Sequence, residues 1–309
     1  MERLEKLLRE RHPLLELRVN EPMSRHTTFR IGGPAALMAL PKSVSEAKMV
    51  LNAARKLEIQ PFFLGNGSNL LVADQGYPGF VVKLTGEFEN IFATPAGPDG
   101  IAHLHAGGAV LLSRLSRQAQ ERGLTGLEFA QGIPGSVGGA VTMNAGAYGG
   151  EMSQVLLQVA ALSPDGREAL FSAESCDLSY RHSRFSNGDW LITQAVFGLS
   201  PGGPEEIAAR MKDFARRRQE KQPLEYPSAG SMFKRPPGHF AAALIDQCGL
   251  KGLTVGGAQV SAKHAGFVVN RGGAACADVL ELVDRVKEQV LRQTGVELEM
   301  EVRVLGSDV

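Results

Sequence analysis

Two spacings of apolar residues divide the chain. At the start, "MERLEKLLRERHPLLEL" sets Leu4, Leu7 and Leu8 at helical intervals among charges, which predicts an amphipathic helix rather than the apolar centre of an export signal. "HTTFRIGGPAALMALP", His26 to Pro41, is β-branched and apolar with Gly32 and Gly33 in its middle, and predicts a strand, a tight turn and a second strand. "SVSEAKMVLNAARKLEI" opens with a capping serine and puts Ala47, Val50, Leu51 and Ala54 on one face, predicting a helix. "QPFFLGNGSNLLVADQGYPGFVVKL" then predicts short strands parted by glycine turns, and the middle third continues with strands around Ile101 and Val141 and a helix over Leu111–Glu121.

The pattern changes at "LSPGGPEEIAARMKDFARRRQEKQP", where a Pro/Gly turn at Pro201–Pro204 leads into a helix rich in alanine and arginine. That shift predicts a domain boundary, with roughly 100 residues beyond it. The second part predicts a helix "FAAALIDQCG" stopped by Gly249, strands near Val255 and Phe267, a helix "ACADVLELVDRVKEQVLRQTG" stopped by Gly295, and a last strand "VELEMEVRVLG". Strands in runs among separate helices give an α+β class, without a fixed-period repeat.

Composition narrows the picture. The chain has 309 residues, 43% of them hydrophobic, enough to bury a large core. Lys plus Arg and Asp plus Glu each number 33, so no overall field draws it to nucleic acid or an anionic membrane, and a basic site must be local. Cys176, Cys248 and Cys276 are far apart and odd in number, which argues against a disulfide framework or a zinc site and fits a reducing cytoplasm. No apolar run approaches the roughly 18 residues of a membrane span.

Three kinds of motif carry candidate chemistry. "LGNGSNLLV" begins like a dinucleotide fingerprint, but Leu70 stands at the third glycine position and strand-like residues follow. Its turn would still present consecutive backbone N–H groups, able to hold a phosphate without lysine, or else join two strands as a plain hairpin. "EFAQGIPGSVGGAVTMNAGAYGGE", Glu128 to Glu151, holds seven glycines, which weaken an ordinary core and are explained by backbone approaching a large flat ligand or by structural necessity. It is not a Walker A loop, having no G-K-[ST]. His103 and His105 share a strand face without a third ligand at useful spacing, so no metal is expected. Arg216, Arg217, Arg218 and Lys221 form a solvated helix face or line an anion cleft near Ser231.

"GNGSNLLV", "GIPGSVGGAVTMNAGAYGGE" with "YRHSRF", and "KQPLEYPSAGSMFKRP" with "EVRVLG" stand in the order of one family. Together, over about Thr27 to Gly306, they resemble the UDP-N-acetylenolpyruvoylglucosamine reductases, and the short second type among them. The resemblance implies an FAD-binding domain of vanillyl-alcohol-oxidase (PCMH) type over 1–200, in two α+β subdomains of about 1–85 and 86–200. A C-terminal α+β substrate-binding domain over 205–309 carries the catalytic glutamate in its last strand. FAD would be wrapped by Gly65, Asn66, Gly67, Ser68 and Asn69, and by Gly132, Ile133, Pro134, Gly135, Ser136, Gly138, Gly139, Ala140, Asn144, Ala145 and Gly146. The stretch His26–Gly33, with Arg30, would support it. The family reaction uses NADPH to reduce FAD, then passes hydride to C3 of the enolpyruvyl group of UDP-N-acetyl-3-O-(1-carboxyvinyl)-glucosamine, making UDP-N-acetylmuramate for peptidoglycan. It further implies a cytoplasmic enzyme, expected as a monomer, with no nucleic-acid or membrane partner.

The chemistry distributes three roles. Hydride at C3 leaves charge on C2 and the attached carboxylate, and Arg181 of "YRHSRF", a permanently charged planar fork, suits that carboxylate. Glu301 matches the family's catalytic glutamate, with Glu297 and Glu299 on the same side of the expected strand, so periodicity alone leaves the three open. Ser231 would protonate C2. From its segment alone it reads as a turn serine bonded to its own backbone, and its flanks, Ala229 and Phe233, exclude a nucleophile elbow. Tyr180, Lys221, Lys234 and Arg235 would meet the substrate, the lysines at its pyrophosphate. Arg235 stands where another branch of the family has asparagine. The rival readings are another FAD oxidoreductase of this fold, such as a hydroxyacid or lactone oxidase, and a non-catalytic nucleotide-sugar or flavin-binding protein.

Overall fold

A computed structural model describes residues 1–98 and 100–306. By contacts between residues the chain divides into two compact units, and they are not consecutive stretches. The first is Met1–Val19, Leu37–Asn66 and Gly79–Arg217; the second is Asn20–Ala36, Gly67–Pro78 and Arg218–Val309.

The first unit contains two hydrophobic clusters. One joins α1 (Glu2–Arg11) and α2 (Val44–Lys56) to a sheet whose strands run in the order Glu16–Pro22, Pro34–Leu40, Tyr77–Val82, Pro61–Phe63. The helix α2 is capped as expected, Ser43 accepting from the Glu46 N–H at 3.2 Å, and Ala47, Val50, Leu51 and Ala54 are all buried. The other cluster lies under a larger antiparallel sheet, Glu168–Ser172, Leu156–Leu162, Leu191–Pro201, Ala102–Gly107 and Ile91–Thr94 in that order, with α3 (Leu112–Glu121) and the short α4 (Val137–Thr142). The helix α5, Pro204–Lys221, follows the Pro/Gly turn.

The second unit is built on α6 (Ala241–Gln247), α7 (Cys276–Thr294) and an antiparallel sheet of Ser228–Ser231, Phe267–Asn270, Ala258–Val260 and Thr254–Val255. Its core takes Phe29, Ile31 and Leu71 from early in the chain. The segment 67–78 is fixed at both ends. Leu70–Val72 pairs in parallel with Arg303–Leu305, and both carboxylate oxygens of Asp74 accept N–H groups at the start of α7, from Cys276 at 2.7 Å and Ala277 at 3.1 Å.

Several expected elements differ. The helix α1 ends at Arg11, because the residue before Pro13 disfavours helical backbone, and Glu16–Pro22 is a strand. His26–Ile31 is not a strand: Gly32 (φ +128°) and Gly33 bond their carbonyls to Ser24 and Met23, which satisfies this backbone without a ladder. Val141 lies in α4, where Val137, Ala140 and Val141 are buried at helical spacing, and packing outweighs the β preference of valine. The turn Gly65–Asn69 does not make a hairpin, since the strands on either side of it belong to different sheets. The last strand is only Arg303–Leu305; residues ahead of it run beside 232–234 through the single bridge Phe233–Met300.

Candidate active site

Ser231 ends a strand bent by an extra residue. Ser228 faces Val269 and Ser231 faces Phe267, so three steps on one strand match two on its partner. The bulge is made possible by Gly230, at φ +79°, a conformation that favours glycine. A bulge re-aims the side chain that follows it, and here that is the half-buried Ser231. The residue is therefore held by strand pairing, not in the turn its sequence suggested.

Glu301 is brought to the same place through backbone bonds. Its N–H donates to Met232 O at 2.8 Å, next to Ser231, and its carbonyl accepts from Asn69 Nδ2 at 3.2 Å. Arg303 N–H donates to Asn69 O at 3.2 Å, so the turn residue Asn69 is stitched to the glutamate's segment from both sides. The three glutamates, equivalent in the sequence, are separated here. Glu297 and Glu299 are exposed, Glu299 is ion-paired with Lys234, and Glu301 is half-buried. The pairing also engages Lys234, which was expected at a pyrophosphate. Arg235 lies over the Phe240 ring at 4.7 Å, and Lys221 is exposed at the end of α5.

Arg181 belongs to the first unit, on a four-residue turn closed by reciprocal bonds between Ser179 and His182, each 3.1 Å. Its φ of +57° at the third position is one that glycine normally fills. An arginine kept in strained backbone is a signal of function that no sequence period could show. Its guanidinium lies 5.3 Å from the ring centre of Tyr180, which is 55% exposed. The turn is tied down by Ser183 Oγ donating to Thr142 O at 2.8 Å.

The glycine segments meet edge to edge within the first unit. A methyl at Gly65 would lie 2.5 Å from Ser136 Oγ, and Asn66 Nδ2 donates to Pro134 O at 2.5 Å. Much of the glycine content answers to the protein itself. A methyl at Gly150 would strike the Phe129 ring at 2.6 Å, one at Gly146 would strike Gly150 O at 2.7 Å, and Gly132 has φ +80°. The N–H groups of Val137 and Gly138 donate to Val110 O and Gly108 O, so they brace α4 on the sheet. Gly139 differs: its φ is not positive and a methyl would meet only Ser136 Oγ, at an ordinary 3.5 Å. Neither strain nor crowding accounts for a glycine there, in a helix where it costs about 0.5–1 kcal/mol against alanine. Close approach of a ligand does account for it, and on that ground these residues fit a flat dinucleotide cofactor. In the second unit Gly67 (φ +62°) abuts the His26 carbonyl and accepts from Thr28 N–H at 3.2 Å; Arg30 is exposed at φ +56°.

The remaining candidate residues are engaged as follows. His103 and His105 do share a face, with His105 stacked on Phe92 at 4.4 Å, and no group of three metal-ligating side chains occurs among the described residues. Arg216 and Arg217 pair with Asp213, and Arg218 is buried. A cavity of about 630 Å³ beside Phe88, Phe92 and Leu170 is lined by none of the expected site residues.

Residues 35–170 match the FAD binding domain family, and residues 222–305 match the C-terminal domain family of UDP-N-acetylenolpyruvoylglucosamine reductase. The chain is 47% identical over 296 residues to the UDP-N-acetylenolpyruvoylglucosamine reductase of Syntrophomonas wolfei, covering 96% of this chain and 97% of the relative. The chain belongs to the UDP-N-acetylenolpyruvoylglucosamine reductase (MurB) family. The Clostridium novyi MurB is also 47% identical, over 95% of this chain and 93% of its own. The solved MurB of Thermus caldophilus is 39% identical with a TM-score of 0.78, over 94% of this chain and 98% of that one. Among the described residues no helix is long and apolar enough to cross a membrane.

Proposed function

We propose that this chain reduces the enolpyruvyl ether of UDP-N-acetyl-3-O-(1-carboxyvinyl)-glucosamine to UDP-N-acetylmuramate, with FAD as cofactor and NADPH as reductant. The observation that carries the reading is Ser231, aimed by a bulge and joined through Met232 to the segment of Glu301. FAD, once reduced, supplies a hydride for C3 of the substrate. Arg181 holds the substrate carboxylate as charge grows on C2, and Glu301 strengthens that stabilisation by hydrogen bonding. Ser231 gives its hydroxyl proton to C2. An enolate-like carbon is basic enough to take it when the geometry is fixed, so no adjacent histidine is required.

Residues 1–200 serve the cofactor and 205–309 the substrate in this reading. It is supported by the family matches over 35–170 and 222–305; the subdomains of about 1–85 and 86–200 are interleaved, Leu162 and Leu191 packing with the α1/α2 cluster and 20–36 and 67–78 belonging to the second unit. Gly65–Asn69, Gly132–Ser136, Gly138–Ala140, Ala145 and Gly146 line the cofactor, and Arg30 supports it. Tyr180, Lys221, Lys234 and Arg235 face the substrate, with Lys234 exchanging Glu299 for phosphate oxygens. The enzyme acts as a cytoplasmic monomer.

The test separates the two halves of the reaction. Ser231→Ala should leave flavin reduction by NADPH intact and slow anaerobic reoxidation by the enolpyruvyl substrate by about 10²–10⁴-fold, the range of positioned proton transfer. Equal loss in both halves would make the serine structural and sink the assignment.

A further inference from the structure

We propose that Asn144, in the middle of the glycine-rich stretch, positions the Arg181 guanidinium instead of holding the cofactor with its own side chain. The inference rests on the reading of Arg181 as the carboxylate-holding residue. Asn144 is 2% exposed and sits at φ +41°, a backbone conformation that asparagine tolerates better than most residues. Both ends of its amide are engaged within the first unit. Nδ2 donates to Ser179 O at 3.2 Å, and Oδ1 accepts from Ser153 N–H at 3.0 Å.

Ser179 opens the turn that presents Arg181, so the amide of Asn144 holds the turn's first residue. Two positions earlier, the carbonyl of Thr142 accepts from the fully buried Ser183 at 2.8 Å and from Ser186 at 3.3 Å, just past the turn's end. The turn is thus gripped at entry and exit by one short stretch, 142–144. Such a grip is needed because Arg181 itself is strained at φ +57° and would relax if released. A group that binds a planar carboxylate in two-point fashion must be held to about 0.5 Å and 10–20°, and a long side chain magnifies any tilt at its root. The glycine-rich stretch therefore does two jobs: its glycines admit the cofactor, and its asparagine sets the cation.

Asn144→Asp tests this. The aspartate keeps the size, the tolerance for positive φ and an acceptor for Ser153 N–H, but loses the donor to Ser179 O. In the flavin-loaded variant, flavin retention and reduction by NADPH are expected to stay within about twofold of wild type. Reoxidation by UDP-N-acetylglucosamine enolpyruvate should fall at least tenfold, and combining Asn144→Asp with Arg181→Lys should add little further loss. Loss of flavin, equal slowing of both half-reactions, or unchanged reoxidation would each overturn the proposal. If the aspartate variant does not fold, Ser183→Ala loosens the other end of the turn and must show the same split. Arg181→Lys alone separates the two readings. If it leaves reoxidation intact, the role of Arg181 fails and this inference with it; if it slows reoxidation while Asn144→Asp does not, only this inference fails.

Discussion

The bulge before Ser231 can be probed without touching the serine. A methyl at Gly230 would meet nothing within 4 Å, so Gly230→Ala isolates the backbone cost of φ +79°. For an L-residue that cost is about 1–2 kcal/mol. The strand could avoid it only by withdrawing the extra residue, which would slip everything downstream by one position and turn Ser231 to the other face. Slipping would break at least the bonds from Met232 N–H to Gly266 O, Glu301 N–H to Met232 O and Lys234 N–H to Glu299 O. At about 1 kcal/mol each, roughly 3 kcal/mol in all, that exceeds the strain. The strand should therefore bear the strain. Thermal unfolding of the flavin-loaded variant should come about 2–6 °C lower. Reoxidation by substrate should stay within about threefold, less than 1 kcal/mol on the barrier. Collapsed reoxidation would show that the register slipped and that glycine, not the pairing around it, aims the hydroxyl. No change in either would refute the strained bulge itself.

Two further expectations concern ionisable groups. Burial pushes the Glu128 carboxyl up, but donors at Thr125 Oγ1 (2.6 Å) and Gly126 N (2.8 Å), with Arg210 at 3.6 Å, outweigh it and hold the net value below the ordinary 4.5. The folded value being depressed, its stabilisation is present above the unfolded value and is lost as pH falls through the folded one. Glu128→Gln should therefore be less stable than wild type in urea unfolding at pH 7, with the gap narrowing at acid pH; a gap independent of pH would refute the charge effect. Burial raises the Cys176 and Cys276 thiols to about 11, so at pH 8 an aromatic disulfide reagent should label half-buried Cys248 well before either, as mass mapping of the native protein would show.

The long amphipathic elements were legible because their signals are local. Ser43 and the 47/50/51/54 face mark α2, and Gly295, at φ +72°, stops α7 where expected. What failed lay where distant partners override local preference. Val137, Ala140 and Val141 spell a helical interval, but their β-branched members and the glycines between them masked it. His26–Ile31 looks like a strand because its apolar residues are bound for the core of the second unit; what they bury against lies some 200 positions downstream. At the candidate site, the resemblance named Arg181, Ser231 and Glu301, whereas the bulge, the strained turn and the pairing that sets Glu299 apart depend on backbone torsions and long-range bonds. The resemblance groups Asn144 with the cofactor residues, and nothing in the sequence ties it to Ser179.

The interleaved second unit has a consequence for how the chain is made. Phe29, Ile31 and Leu71 leave the ribosome long before the helix and strand that cover them, and Asn69 must wait for Glu301, 232 positions later. At about 5–20 residues per second, that delay is on the order of 10–50 s. For that interval the nascent protein carries the early residues of its second unit without the core that covers them, and synthesis of the segment around Glu301 completes their pairing.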